Sequence, residues 1–414
     1  MALTGILMIS IKAKEISDSR GYPTIEVALT YGSAKFLSSV PSGVSTGKYE
    51  AVELKDKDGK GVKKAVENIE KIIAPALAKE DFLDQKRIDK VLIQLDGTKN
   101  KSRLGANAIL AVSIAVCRLG AKIKNLPLYS YISQLSGKSV SGQDLPLPSF
   151  NMIEGGKHGE AGLAFQEFMV VPRKENFQEN LKVGKIIYRE LKKILEKKFG
   201  KKNVRLSAEG AFAPPVKRIF EALDFILEAG EKVGQLGNFK IALDAASSEF
   251  FESNYYKAEG NLFSKKELAS FYESLARKYP IISVEDPFQE NDFESFAQLK
   301  KSLKGKAIIF GDDLTVSNVG RMELARKNKS ISGLILKPNQ VGTVTETLEA
   351  AKLARDFNWK IMVSNRAGET EDDFIADLAV GIGADFIKSG APFPKERIAK
   401  YNRLLAIEKE LQRR

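Results

Sequence analysis

The stretches Lys240–Asp244 (KIALD), Pro280–Glu285 (PIISVE) and Lys306–Asp312 (KAIIFGD) share one pattern: a short apolar run that ends on a carboxylate. Three later runs end on other polar residues: Ser332–Lys337 (SGLILK), Lys360–Asn365 (KIMVSN) and Ala384–Lys388 (ADFIK). Their last residues lie 23 to 41 positions apart, about one β/α unit each. Helical stretches such as KKELASFYESLARKY and VTETLEAAKLARDF fill the gaps, so the pattern predicts parallel strands with helical crossovers. Six consecutive units fit a (β/α)8 barrel better than an open doubly wound sheet, and barrel active sites form at the C-terminal ends of the strands. The six end residues are therefore expected to meet at one mouth.

Three carboxylates at one mouth repel unless a cation sits among them. Asp244, Glu285 and Asp312 offer oxygen only, and no Cys/His ligand spacing accompanies them, which points to Mg²⁺ or Mn²⁺ rather than zinc. Taken singly, each could instead cap the helix that follows its strand. Lys337 and Lys388 belong to the same ring. A lysine near a metal and other cations is pushed toward its neutral form, as a general base requires, although pairing with a ring carboxylate is the alternative for Lys388. Pro338 biases Lys337 toward extended geometry. Glu167 (in AFQEFMVVP) and Glu209 (in LSAEGAFAPP) add two more acids, the second in a tight Gly/Pro loop.

Upstream, the Ser/Gly/Pro-rich segment QLSGKSVSGQDLPLP marks a domain boundary, giving an N-terminal domain over 1–135 and a barrel over 145–414. The first domain reads as α+β: strand-like ILMISIKAKEI and TIEVALTYG around the turn SDSRGYP, then helical patterns over about 61–77 and 105–123. The loop PSGVSTGKYE (Pro41–Glu50) is one residue short of a phosphate-cradling P-loop, and Tyr49 stands where Ser/Thr is required, so it reads as a mobile lid.

Bulk composition fits this picture. A chain of 414 residues, 43% hydrophobic, can build a sizeable core. Its lone cysteine, Cys117, lies at helical spacing with Leu110 and Ile114 and reads as a buried thiol. The opening MALTGILMISIKAKEI lacks the features of a signal peptide, and no apolar run reads as a membrane span, so a cytoplasmic location is expected. The net charge of +12 comes from lysines spread along amphipathic segments. The densest cluster, KKILEKKFGKK, reads as a helix end closed by Gly200. That distribution favours solubility and steering of small anions over nucleic-acid binding.

Taken in order, DSRGYPT, VPSGVSTGKYEA, LDGTKNKSRLGANAILAVS, QEF, EGAFAP, LDAASSEF, VEDPF, GDDLTVSN, LKPNQVGT, SNRAGETEDDFIADLAVG and IKSGAP resemble the motifs of the enolase (phosphopyruvate hydratase) family over essentially the whole chain. The resemblance implies an α+β domain followed by an enolase-type barrel. It also implies a reversible Mg²⁺-dependent dehydration of 2-phosphoglycerate to phosphoenolpyruvate, with two Mg²⁺ ions per site and a dimer or larger ring. In that frame Asp244, Glu285 and Asp312 match the metal ligands. Lys337 matches the base, and Glu209 the acid with Glu167 beside it. Lys388 matches a carboxylate contact, and Gln166 falls among the substrate-binding residues with Asn365. Arg366 matches the phosphate arginine, Ser45 the lid serine that reaches the second ion, and His158, the only histidine, a loop residue closing over the phosphate end.

The chain also departs from the family's pattern. Asn365-Arg366-Ala367 replaces the usual His-Arg-Ser, Ala208-Glu209-Gly210-Ala211 replaces Asp-Glu-Gly-Gly, and Gly159 to Gly162 differs. Three readings follow: an active enolase, a paralogue that dehydrates another acid bearing an α-proton, and an enolase-like binding protein.

Overall fold

The computed structural model describes residues 9–43, 47–138, 145–159 and 162–413. Its first part is a three-stranded antiparallel sheet, Ile9–Ser17, Pro23–Tyr31 and Ala34–Ser39, backed by helices that include Gln85–Asp96, Ala106–Ile123 and Leu128–Ser136. Ile25, Val27 and Leu29 alternate along the central strand and are fully buried, the period-2 pattern of a strand with one face against helices. The strand Ala34–Ser39 and the helices Gln85–Asp96 and Leu128–Ser136 were not expected from the sequence. The strand has little apolar patterning of its own; it forms because the two-residue turn Gly32-Ser33 folds it back on Tyr31.

The helix Ala106–Ile123 corrects the reading that no apolar run could span a bilayer. It is long and apolar enough by length and composition, yet 83% of it is buried inside the protein. It is the core helix of the first domain, with Cys117 sealed within it and its thiol pushed up by burial.

The second part is a closed barrel of eight strands: Leu147–Glu154, Glu167–Pro172, Phe239–Asp244, Ile281–Glu285, Ile308–Gly311, Gly333–Leu336, Lys360–Ser364 and Phe386–Lys388, the last pairing with the first. All neighbours are parallel except around Glu167–Pro172, which runs antiparallel to both sides. A parallel return needs a crossover of a dozen or more residues, usually with a helix. Only 155–166 joins the first two strands, and its described residues contain no helix, so the second strand runs the opposite way.

That reversal positions the site. Inside the barrel Met169, Val171, Ala242, Phe310, Ile335, Met362 and Phe386 form an apolar cluster separate from the outer core. Side chains on one face of a strand recur every second residue. Two positions beyond the inner Ala242, Phe310, Ile335, Met362 and Phe386 come Asp244, Asp312, Lys337, Ser364 and Lys388. On the reversed strand the step runs backwards, from Val171 through Met169 to Glu167, which therefore starts its strand at the mouth where the others end theirs. Glu285 joins through a bulge. Pairing passes from Ile281 to Ser283, and the extra residue resets the phase so that Glu285 stands opposite Asp244.

Candidate active site

One cavity at this mouth is lined by His158, Gln166, Glu167, Glu209, Asp244, Lys337, Ser364, Asn365, Arg366, Ala367 and Lys388. The helices that follow the carboxylate-ended strands are capped by Ser264, Asp292 and Asn318. Asp244, Glu285 and Asp312 are thus free of capping duty and are almost wholly buried.

The Lys388 ammonium lies among three of the carboxylates: 2.9 Å from Glu285 Oε2, 3.2 Å from Asp244 Oδ2 and 3.0 Å from Glu167 Oε2. Burial works against its charge, but Glu167, Glu285 and Asp244 outweigh that and hold its pKa well above the ordinary value. Lys337 is hydrogen-bonded to Asp312 Oδ2, and its extended backbone matches the effect expected of Pro338. The sequence reading had Lys337 pushed toward neutrality; burial does act that way, but Asp312 prevails and raises its pKa. Burial and then mutual repulsion push Glu285 well up, whereas Lys337 and Lys388 overcome burial at Asp312 and lower it.

This donor set suits Mg²⁺. Asp244, Glu285 and Asp312 are buried oxygen donors whose charge is balanced here by two ammonium groups, and oxygen-only coordination is what a hard cation prefers. Among the described residues their ligand atoms do not all lie within 4.8 Å of one another; the groups that do are Glu154–His158–Glu167 and Asp286–Asp312–Asp313. Two amides orient two of the trio. Gln340 Nε2 donates to Asp312 Oδ1 at 2.8 Å, and Gln166 Nε2 to Asp244 Oδ2 at 3.3 Å. Asp286 accepts the backbone N–H groups of Asp312 and Asp313 at 3.0 and 2.7 Å.

On the opposite side, Glu209 sits in a turn beside Gly210, whose φ is +79°. Its Oε2 accepts from Asn365 Nδ2 at 2.9 Å and Asn151 Nδ2 at 3.3 Å. His158 Nδ1 lies 3.6 Å from Glu167 Oε1 and 3.9 Å from Glu209 Oε1. Burial disfavours the imidazolium, but Glu167, Glu209 and Glu154 raise it to about 9. Glu167 is held down at about 2: burial opposes its charge, but Lys388 and then His158 prevail. His158 thus lies against Glu167 and Glu209, in the same cavity as Arg366.

Arg366 Nη1 and Nη2 reach Glu50 at 2.8 and 3.2 Å, and Nη1 meets Asn339 Oδ1 at 3.0 Å. Glu50 lies at the end of the Pro41–Glu50 loop, and Ser45 falls outside the described residues. The loop is stitched to the barrel near Tyr49, whose ring lies 4.0 Å from the Arg321 guanidinium. Arg397, fully buried, donates to the carbonyls of Arg366, Ala367 and Ala208 at 2.7, 2.6 and 3.1 Å.

Sequence reasoning missed Glu50, Asn151, Glu154, Asp286, Gln340 and Arg397. Glu154 carried a readable signal: PSFNMIE is another apolar run closed by a carboxylate. The others act through hydrogen bonds that depend on tertiary neighbours.

A barrel with one reversed strand and a buried mouth that gathers a carboxylate trio, two lysines, a histidine and further glutamates has the groups of a metal-assisted acid–base enzyme. Residues 8–132 match the family described as "Enolase, N-terminal domain" and residues 142–414 "Enolase, C-terminal TIM barrel domain". The chain is 45% identical to enolase of Eimeria tenella (99% of this chain, 97% of that protein) and 47% to that of Mastigamoeba balamuthi (97% and 95%). Against enolase of Solanum lycopersicum it is 46% identical, over 97% of this chain and 95% of that protein. The chain belongs to the enolase family, and its activity is that of phosphopyruvate hydratase, a lyase.

Proposed function

We propose that this chain dehydrates 2-phosphoglycerate to phosphoenolpyruvate, reversibly and with Mg²⁺, with the following division of labour. Lys337 takes the proton from the carbon next to the carboxylate. Glu209, with Glu167 beside it, delivers a proton to the departing hydroxyl, which leaves as water. Lys388 and Gln166 hold the substrate carboxylate, Arg366 the phosphate, and His158 and Asn365 line the acid side. Asp244, Glu285 and Asp312 would hold one Mg²⁺, with Ser45 offered to a second; bound there, the metal supplies electrostatic stabilisation of the growing carboxylate charge. The expected domain limits, 1–135 and 145–414, and a homodimer or larger ring belong to the same reading.

The observation that carries it is that Lys337 and Glu209 line one cavity together with Asp244, Lys388 and Arg366. Asn365 supports an intact acid side, since its amide donates to Glu209. A coupled assay with and without Mg²⁺ tests the proposal: product must form from 2-phosphoglycerate only with metal, and well-folded, metal-loaded protein that gives none overturns it.

A second reading, another α-proton acid as substrate, draws on Ala367. It stands beside Arg366 and brings no hydroxyl to the phosphate end. A higher kcat/KM for a different hydroxy acid would establish it.

A further inference from the structure

Glu154 is left without a task by the roles above. It closes the first barrel strand, is fully buried, and sits on the acid side. Asn151, three residues earlier, donates its one amide group to two carboxylates, Glu154 Oε1 at 2.6 Å and Glu209 Oε2 at 3.3 Å. Two carboxylates held by one amide in a dry pocket cannot both ionise without mutual repulsion. Glu154 faces His158 from the next loop and Glu167 from the second strand. It also faces Ser207 and Glu209 from the turn and Tyr188 from the helix Phe177–Phe199. Arg397 reaches the far side of this group, 4.0 Å from Glu209 Oε2. Lys388, the nearby lysine, is engaged by Glu167, Asp244 and Glu285.

We infer that Glu154 is a positioning residue for the acid: through the Asn151 amide, which donates to both carboxyl groups, Glu154 fixes Glu209 in place, and Glu209 delivers the proton to the departing hydroxyl. Burial, followed by the charge of Glu209, pushes the Glu154 carboxyl up to about 8. As the C–O bond breaks, the Glu209 proton leaves with the hydroxyl as water, and the carbon proton stays on Lys337. The Glu209 carboxylate left behind is offset by the His158 imidazolium, 3.9 Å away, until a proton returns. Ala208 removes the acidic neighbour that the family places beside the acid, and Glu154 supplies a carboxyl to Glu209 from a different strand.

This rests on the proposed enolase reaction, so the test has one arm independent of turnover. Infrared difference spectra of metal-loaded wild type and Glu154→Gln at pH 7 would show a protonated-carboxyl band that the variant lacks; a band unchanged in the variant overturns the pairing. In the activity arm, Glu154→Gln keeps exchange of the substrate's α-proton with solvent, while dehydration falls about tenfold to a hundredfold. With the repulsion gone, the proton leaves the acid side more easily, so the alkaline limb of dehydration moves about one pH unit lower. Glu154→Asp restores part of the rate. A parallel loss of exchange and dehydration with an unmoved limb overturns the inference. A wild type without turnover counts against the enolase reaction, while the infrared arm still decides whether Glu154 stands protonated beside Glu209.

Discussion

Arg366 and Glu50 form a two-pronged ion pair, Nη1–Oε2 2.8 Å and Nη2–Oε1 3.2 Å, between the barrel mouth and the root of the Pro41–Glu50 loop. The pair is buried on both sides. A guanidinium fork of this kind suits a phosphate as well as a carboxylate, so Glu50 occupies the fork that the proposed assignment gives to the substrate phosphate.

Glu50→Gln leaves a buried cation short of its carboxylate, a loss of about 3–5 kcal/mol for pairs of this type. Phosphate can restore that charge balance. Inorganic phosphate should therefore raise the melting temperature of Glu50→Gln more than that of wild type. Equal shifts would show that Glu50 does not compete for the fork.

His158 lies within 4 Å of both Glu167 and Glu209 and is cationic up to about pH 9. Its folded-state pKa is raised, so the stability it contributes is complete below the unfolded value of about 6.5 and fades as pH rises through about 9. His158→Ala should lower kcat about tenfold to a hundredfold, the range of a lost acid–base partner. Its Mg²⁺ affinity should be unchanged, because the carboxylates against the ring are Glu167 and Glu209, not Asp244, Glu285 or Asp312. Isothermal titration with Mg²⁺ alongside steady-state kinetics separates the two effects; an unaffected kcat/KM removes His158 from the site.

The positions of Asp244, Asp312, Lys337 and Lys388 were legible because strand periodicity carries them two residues past an inner apolar side chain. The placement of Glu285 was legible by type but not by phase, since the bulge between Ile281 and Ser283 has no sequence mark. The reversal of Glu167–Pro172 was hidden for another reason. Its residues are apolar on both faces, and such a run reads the same in either direction. The neighbours of His158 were not legible, because a loop's end point depends on what it packs against, here the buried carboxylates Glu154, Glu167 and Glu209, and spacing does not encode that.

The two domains are joined by Arg118, whose guanidinium meets Asp372 at 2.7 and 2.8 Å and Asp373 at 3.1 Å. Asp372 also accepts the Ser39 backbone N–H at 2.9 Å. Burial opposes the Asp372 charge, but Arg118 and these hydrogen bonds prevail and hold its pKa below the usual value. A depressed carboxylate contributes stability above its unfolded pKa of about 3.9 and loses it as pH falls through the folded value. Urea unfolding between neutral pH and about pH 3 should show wild type losing its advantage over Asp372→Asn below about pH 4. A constant difference across that range would assign the effect to packing instead.

Lys388 provides the sharpest test of the metal trio. Its ammonium touches Glu167, Asp244 and Glu285 with less than a twentieth of its side chain exposed. In Lys388→Met the metal-free protein keeps those carboxylates without their shared cation, a change of the kind that costs about 3–5 kcal/mol. Mg²⁺ binds the folded state and stabilises it by mass action. The variant should therefore melt well below wild type without metal and gain more from saturating Mg²⁺, while turnover stays low for want of the carboxylate contact. Calorimetric melts with chelator and with Mg²⁺ measure both. If Lys388→Met matched wild type without metal, the lysine would not be the cation that balances this site; if Mg²⁺ left its melting temperature unmoved, Asp244, Glu285 and Asp312 would lose their assignment.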